Sequence, residues 1–203
     1  MWLTVTLPLD AVPGAWLCDT LALRLCVLNV KKKDVVNLKG FGSGMNHEAV
    51  MDATRSPMSG KRVVVVDGDW YKPDSFVSAI EHVLERGGVL VLFREATTPD
   101  HKVWSTYDEV LRKTSGRALY VIVPPEAKTR AREDVARVPA VTNIADTALG
   151  HLTIKTCDPS MILAVGGGET TINEHRVCVH NGNADAWHIL DVPRGEEHSA
   201  LVE

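Results

Sequence analysis

From residue 62 onward the apolar and polar positions fall into two alternating patterns. Arg62 is followed by four consecutive valines, Val63–Val66, a β-branched run too continuous for a strand with one wet face. Val89–Phe93, Ala118–Val123 and Ser160–Val165 repeat it. Between these runs apolar residues recur at helical spacing. Phe76, Val77, Ile80, Val83 and Leu84 follow the i, i+4, i+7 rule, with Asp74 as N-cap and Gly87-Gly88 as the stop. Ser105-x-x-Asp108 reads as a capping box opening a helix to Gly116, a charged helix covers Glu126–Arg137, and Asn143–Leu152 reads as a helix interrupted at Gly150. Strands and helices alternating at this spacing predict an α/β fold: a three-layer α/β/α, Rossmann-like domain with a mostly parallel sheet and right-handed crossovers.

The first sixty residues follow a different pattern. Leu3–Leu7 and Leu21–Val30 have strand-like composition and flank a Pro8–Gly14 turn region, which predicts a hairpin or two edge strands. Lys31-Lys32-Lys33, a glycine-rich Gly40-Phe41-Gly42-Ser43-Gly44 and a short helix over Asn46–Arg55 follow, and Ser56–Gly60 has linker composition. The expected organisation is an N-terminal strand-rich extension, residues 1–59, ahead of an α/β domain, residues 60–203. Edge strands in the extension suit docking to a protein partner.

Composition narrows the class. With 45% hydrophobic and 24% charged residues over 203 positions, collagen-like, disordered and disulfide-scaffold readings are excluded. No apolar run is long enough to span a membrane, and no basic n-region precedes the apolar start. Cys18, Cys26, Cys157 and Cys178 form no C-x-x-C pair, so they read as reduced thiols, and the expected location is an intracellular, reducing compartment, cytoplasmic by default. A net charge of −4 argues against a nonspecific polyanion binder. Arg112–Arg137 nevertheless holds seven basic residues (Arg112, Lys113, Arg117, Lys128, Arg130, Arg132, Arg137) against three acidic ones, so this stretch is where single-stranded RNA would bind. A solvated helix face is the plainer use of the same charges.

In a parallel sheet of this kind function gathers at the carboxyl ends of the strands. The first valine run ends in Asp67-Gly68-Asp69-Trp70, the last apolar run in Gly166-Gly167-Gly168-Glu169, and Asp146 interrupts an otherwise apolar helical segment. With Val63–Val66 and Met161–Val165 as neighbours in the sheet, these acids would face one rim. Carboxylates converging from separate elements bind Mg²⁺ or Mn²⁺ through hard oxygen ligands, and such ions activate water for phosphodiester cleavage. Each residue also has a plain structural use: Asp67 as a turn residue or N-cap, Asp146 as a solvated helix residue, and the glycines as a tight turn.

These three segments resemble the motifs of PIN-like nucleases, in particular their NYN branch, over roughly residues 60 to 180. Arg62–Trp70 is similar to the apolar strand running into Asp-Gly-x-Asn, Ile144–Leu149 to the central Asp on a small-residue helix, and Met161–Glu169 to the last strand with its terminal acid. The resemblance implies a metal-dependent ribonuclease, or a catalytically degenerate RNA-binding relative. Asp67, Asp146 and Glu169 would be its catalytic and metal-binding residues, Asp69 an auxiliary ligand, and Mg²⁺ or Mn²⁺ its cofactor. Two departures stand out: Trp70 replaces the motif's Asn, and Gly168 replaces its last acid. They also fit a noncatalytic interaction module within a larger assembly.

The last glycine turn carries a second resemblance. Gly167-Gly168-Glu169-Thr170-Thr171-Ile172-Asn173-Glu174 looks like the Pro-Gly-Gly-x-Gly-Thr-x-x-Glu motif of lonely-guy-type phosphoribohydrolases, without its leading Pro and third Gly. That motif cradles a nucleotide phosphate on backbone N–H groups at a helix start. Gly42-Ser43-Gly44 is a candidate second glycine loop, and Val177-Cys178-Val179 predicts a helix of only about two turns after Glu169. Finally, Cys178 and His180 on one strand face beside His175 are compatible with zinc, but the spacing matches no finger or ribbon and packing is the preferred reading.

Overall fold

The four apolar runs are strands of one sheet: β3 (Val63–Asp67), β4 (Val89–Glu95), β5 (Arg117–Val123) and β6 (Met161–Val165). The computed structural model describes residues 1–42, 44–68, 73–96 and 102–193, and within these β1 (Trp2–Thr6), β2 (Val35–Gly40) and β7 (Trp187–Leu190) join the same sheet. The order is β1-β5-β4-β3-β2-β6-β7 and every pairing is parallel. The helices are α1 (Ala15–Leu25), α2 (His47–Arg55), α3 (Asp74–Leu84), α4 (Lys102–Lys113), α5 (Pro125–Ala136), α6 (Ile144–Cys157) and α7 (Glu169–His180).

Strand alternation sorts the helices into two layers. Val64, Val66, Leu90 and Leu92 pack on Val50, Phe76, Ile80 and Tyr107 of α2, α3 and α4. Val63, Val65, Val91 and Phe93 face the other way, onto Leu17 and Leu21 of α1, Ala127 of α5 and Leu149 of α6. Helix α7 joins this second layer, Val177 packing with Val135 and Val138 and Cys178 with Ile154. All four valines of Val63–Val66 are sealed from solvent. Each is worth about 1.5–3 kcal/mol of burial, which explains why the run admits no polar residue.

The three-layer α/β/α sheet matches the pattern read from the sequence, while several local expectations are corrected. Leu21–Val30 is not a strand: its first half closes α1, whose Leu17, Leu21 and Leu25 are spaced at i, i+4, i+8 and buried. Strand β2 escapes an apolar-run search because Asn37 and Lys39 interrupt it. Asp74 lies in the first turn of α3 behind an N-cap at Pro73, and Ser105 lies inside a helix that starts at Lys102. Gly150 does not interrupt α6, and α7 continues through Val177-Cys178-Val179 to His180. Cys178 and His180 are therefore helical and share no strand face. Asp69, Trp70 and Ser43 lie outside the described residues.

Val63–Val66 and Met161–Val165 were expected side by side, yet β2 runs between them, paired with β3 on one flank and β6 on the other. From β2 the chain steps through β3, β4 and β5 in one direction, then returns through α5 and α6 to place β6 on the opposite flank. The connections on either side of β2 thus diverge at its carboxyl end, opening a crevice between the β2 and β6 loops.

Residues on both sides of Gly60 supply strands to this sheet, and β2 lies in its interior. A chain beginning at residue 60 would leave β3 and β6 with no strand between them, so it should show no cooperative thermal transition by circular dichroism. A sharp transition in that fragment would contradict the interior position of β2.

Candidate functional site

A lysine is the penultimate residue of β2, the strand on which the sheet's connections diverge. Lys39 follows Val35 and Asn37 on the α6 face of β2, and its side chain is only 3% exposed. The Lys39 Nζ donates to Asp67 Oδ1 of β3 at 2.8 Å and to Glu174 Oε1 of α7 at 3.3 Å. Burial by itself would push the Lys39 ammonium down from the usual lysine range, but the two carboxylates outweigh it and hold it above that range. Glu174 is 2% exposed and Asp67 14%. Removing one member of such a buried pair costs about 3–5 kcal/mol, because its partner is left charged and unmatched.

Gly150 explains how the pair fits. A Cβ on this residue of α6 would lie 1.5 Å from Glu174 Oε1 and 2.8 Å from Lys39 Nζ. The glycine that reads as a helix break in the sequence is instead a notch in a continuous helix. Nearby, Asn173 donates to the Thr142 carbonyl at 2.6 Å and Arg176 to the Ala140 carbonyl at 3.0 Å, fixing α7, and with it Glu174, against the α5–α6 connection.

Above the ion pair the two glycine turns meet. Gly40 has φ of +77°, and a Cβ there would lie 2.8 Å from the Gly166 carbonyl oxygen, so only glycine permits this approach. Gly166 and Gly167 also have positive φ, and Gly168 caps α7 with no side-chain hydrogen bond to the helix start. The helix therefore presents its first N–H groups, and the positive end of its dipole, without a side-chain cap. Lys39, Gly40, Asp67, Asp146, Gly168, Glu169, Thr170, Thr171 and Glu174 line a cavity of about 270 Å³.

The structure thus brings Asp67, Asp146 and Glu169 to one cavity, although β2 separates β3, which carries the first, from β6, which leads into the helix that begins at the last. Sequence reasoning missed Lys39; the signal was a lone ammonium in an apolar segment immediately before a glycine turn. Glu174 was named only through the glycine motif. The three acids are each engaged: Asp67 by Lys39, Asp146 by Asn143 Nδ2 at 2.6 Å, and Glu169 by the Thr142 hydroxyl. Among the described residues no three His, Cys, Asp or Glu side chains are grouped to hold a metal ion. The Mg²⁺ or Mn²⁺ that the nuclease resemblance implies would draw on Asp67, Asp146 and Glu169, and its auxiliary ligand Asp69 lies outside the described residues.

The basic residues of Arg112–Arg137 do not line one path. Arg112 and Lys113 end α4 in one layer, Arg117 reaches the Gly87 and Leu25 carbonyls from the start of β5, and Lys128, Arg130 and Arg132 lie on α5, with Arg137 as its C-cap, in the other layer. Lys128 pairs with Glu95 and Arg137 with Asp134. Comparison with known proteins finds no matching family model, no similar curated protein and no similar solved structure. No helix among the described residues is long and apolar enough to cross a membrane.

The notch makes a direct stability test. A mid-helix Gly→Ala change ordinarily gains about 1 kcal/mol. Gly150→Ala should instead lose about 1–3 kcal/mol or more, the cost of overpacking, measured by urea unfolding. A gain in stability would show that Glu174 does not occupy the notch.

Proposed function

We propose that this chain binds a nucleotide in the crevice between the β2 and β6 loops and hydrolyses its N-glycosidic bond, with Glu174 as the carboxylate facing the sugar. The observation that carries this reading is the buried Lys39–Glu174 pair at the foot of a cavity walled by two glycine turns. The uncapped start of α7 and its Gly167-Gly168 turn offer N–H donors to a phosphate, as in the phosphoribohydrolase motif that this segment resembles. When an N-glycosidic bond breaks, the departing base takes the bonding electrons and the sugar gains oxocarbenium character. A fixed carboxylate stabilises that charge, water adds at the anomeric carbon, and the proton released ends on the base.

Charge limits the ligand. Four carboxylates and one ammonium line the cavity, so phosphate is favoured only at the helix start, while the acids suit ribose hydroxyls, which donate to them. Each further phosphate would add negative charge against the same wall. The nuclease reading keeps one supporting observation, the convergence of Asp67, Asp146 and Glu169 on this cavity, but the Lys39 ammonium already occupies the position between Asp67 and Glu174.

Two measurements test the reading. In thermal unfolding, a nucleoside monophosphate should raise the transition more than the triphosphate at equal concentration, by mass action on the folded state. Chromatography should then detect free base released from the monophosphate, with release abolished in Glu174→Gln. Stabilisation by Mn²⁺ alone, lost in Asp67→Asn and joined to cleavage of labelled single-stranded RNA, would replace this reading with the nuclease.

A further inference from the structure

We propose that the cavity between the β1–α1 connection, α5 and α6 binds a small organic carboxylate, its apolar body on Leu7, Ala131 and Leu152 and its charged head on Arg130, Lys155 and His151. This cavity shares no lining residue with the nucleotide crevice, and the proposal does not rest on that reading.

Small side chains make the room. Ala127 and Ala131 follow one another by a turn on the buried side of α5, and they leave space that a larger residue would fill. Leu7 and Pro13 from the β1–α1 connection and Leu152 from α6 complete an apolar wall around a volume of about 180 Å³. Such a wall holds a small apolar body by burial, and a few polar groups must then fix its orientation.

His151 is the first of these groups. Its side chain is 7% exposed and its ring borders the cavity, yet Asp134 Oδ2 stands 3.9 Å from Nε2, beyond hydrogen-bond reach. Asp134 is matched elsewhere: Lys155 Nζ donates to it at 2.9 Å and Arg137 lies 3.8 Å away, and the Lys155 bond above all holds its carboxyl below the usual range. Burial, with the Lys155 ammonium beside it, keeps the His151 imidazole below its usual range, so near pH 7 the neutral ring brings one N–H donor. A buried ring of this kind calls for a polar partner. Charge decides which. Among the described residues lining the cavity Arg130 and Lys155 are cations and Asp134 the one carboxylate, so one positive charge is in excess. Arg130 uses one donor on the Leu9 carbonyl at 3.4 Å and Lys155 one on Asp134, and both keep others for a ligand. A carboxylate answers the excess charge and the ring together. The same ring also borders a polar cavity with Arg137, His180 and Asn183, so the charged end of the ligand points that way.

The test adds benzoate, benzamide or inorganic phosphate to the full chain labelled with ¹³C-histidine and reads the His151 ring resonance by NMR, assigned through His151→Gln. Millimolar benzoate should move that resonance saturably. Benzamide, the same shape without the charge, should bind about tenfold or more weakly, and phosphate, which has no apolar body, should leave the resonance in place. Lys155→Met and Ala131→Leu should each weaken benzoate by about tenfold or more, the first by removing a counter-charge and the second by filling the slot. A His151 resonance unmoved by benzoate, equal binding of benzamide, an equal response to phosphate, or undiminished benzoate binding in either variant would overturn the proposal. Should Ala131→Leu not fold, Ala11→Leu, on the half-buried wall of the β1–α1 connection, fills the slot in its place. Base release plays no part in this readout, so a failure here leaves the nucleotide reading where it stood.

Discussion

One buried ammonium organises the carboxyl end of this sheet. Lys39 could not sit inside the protein alone, and the two carboxylates that admit it come from β3 and α7, elements far from it in sequence. Their mutual requirement fixes three neighbours at once: the adjacent strand, the helix that follows β6, and a helix α6 thinned at Gly150 to clear the pair. An apolar trio of similar volume would pack as well and cost less to desolvate. The charges therefore point to a use beyond stability, and they lie where the strand connections diverge and a ligand has room.

The location follows from chain topology. Because β2 feeds β3, β4 and β5 on one side and receives β6 on the other, the loops at its carboxyl end part, and the side chains beneath them become the floor of a crevice. Gly40 and Gly166 let the two turns approach within backbone contact, and α7 starts at that point without a side-chain cap. Phosphate-binding geometry and a charged floor thus share a single cavity, which neither feature would define alone.

Legibility in the sequence tracked how far each residue depends on its own segment. Four valines in a row can only be a strand buried on both faces, and Phe76 to Leu84 carries its helical period in plain view, so the alternation and the three layers were readable. Strand β2 was not, because Asn37 and Lys39 replace apolar residues on the face that meets α6, and the partners of Lys39 lie on another strand and on a helix more than a hundred residues away. Leu21–Val30 misled for the converse reason: β-branched and leucine-rich composition suits a strand, but the buried spacing of Leu17, Leu21 and Leu25 belongs to a helix. Gly150 reads as a helix break by propensity and proves to be a clearance, a fact only the tertiary contact reveals. The acids Asp67, Asp146 and Glu169 were found by their positions after strands and on a helix, and they do share a cavity. The ammonium among them, which decides their chemistry, was hidden with β2.

The central claim is spatial, and a crystal structure with a nucleoside monophosphate at millimolar concentration tests it most directly. The account expects the phosphate against the first N–H groups of α7 and the anomeric carbon within about 3.5 Å of a Glu174 carboxylate oxygen, a reacting distance, with Lys39 still bonded to Glu174 beneath it. A nucleotide bound elsewhere with this crevice empty, or a metal ion seated between Asp67 and Asp146 with Lys39 displaced, would contradict it.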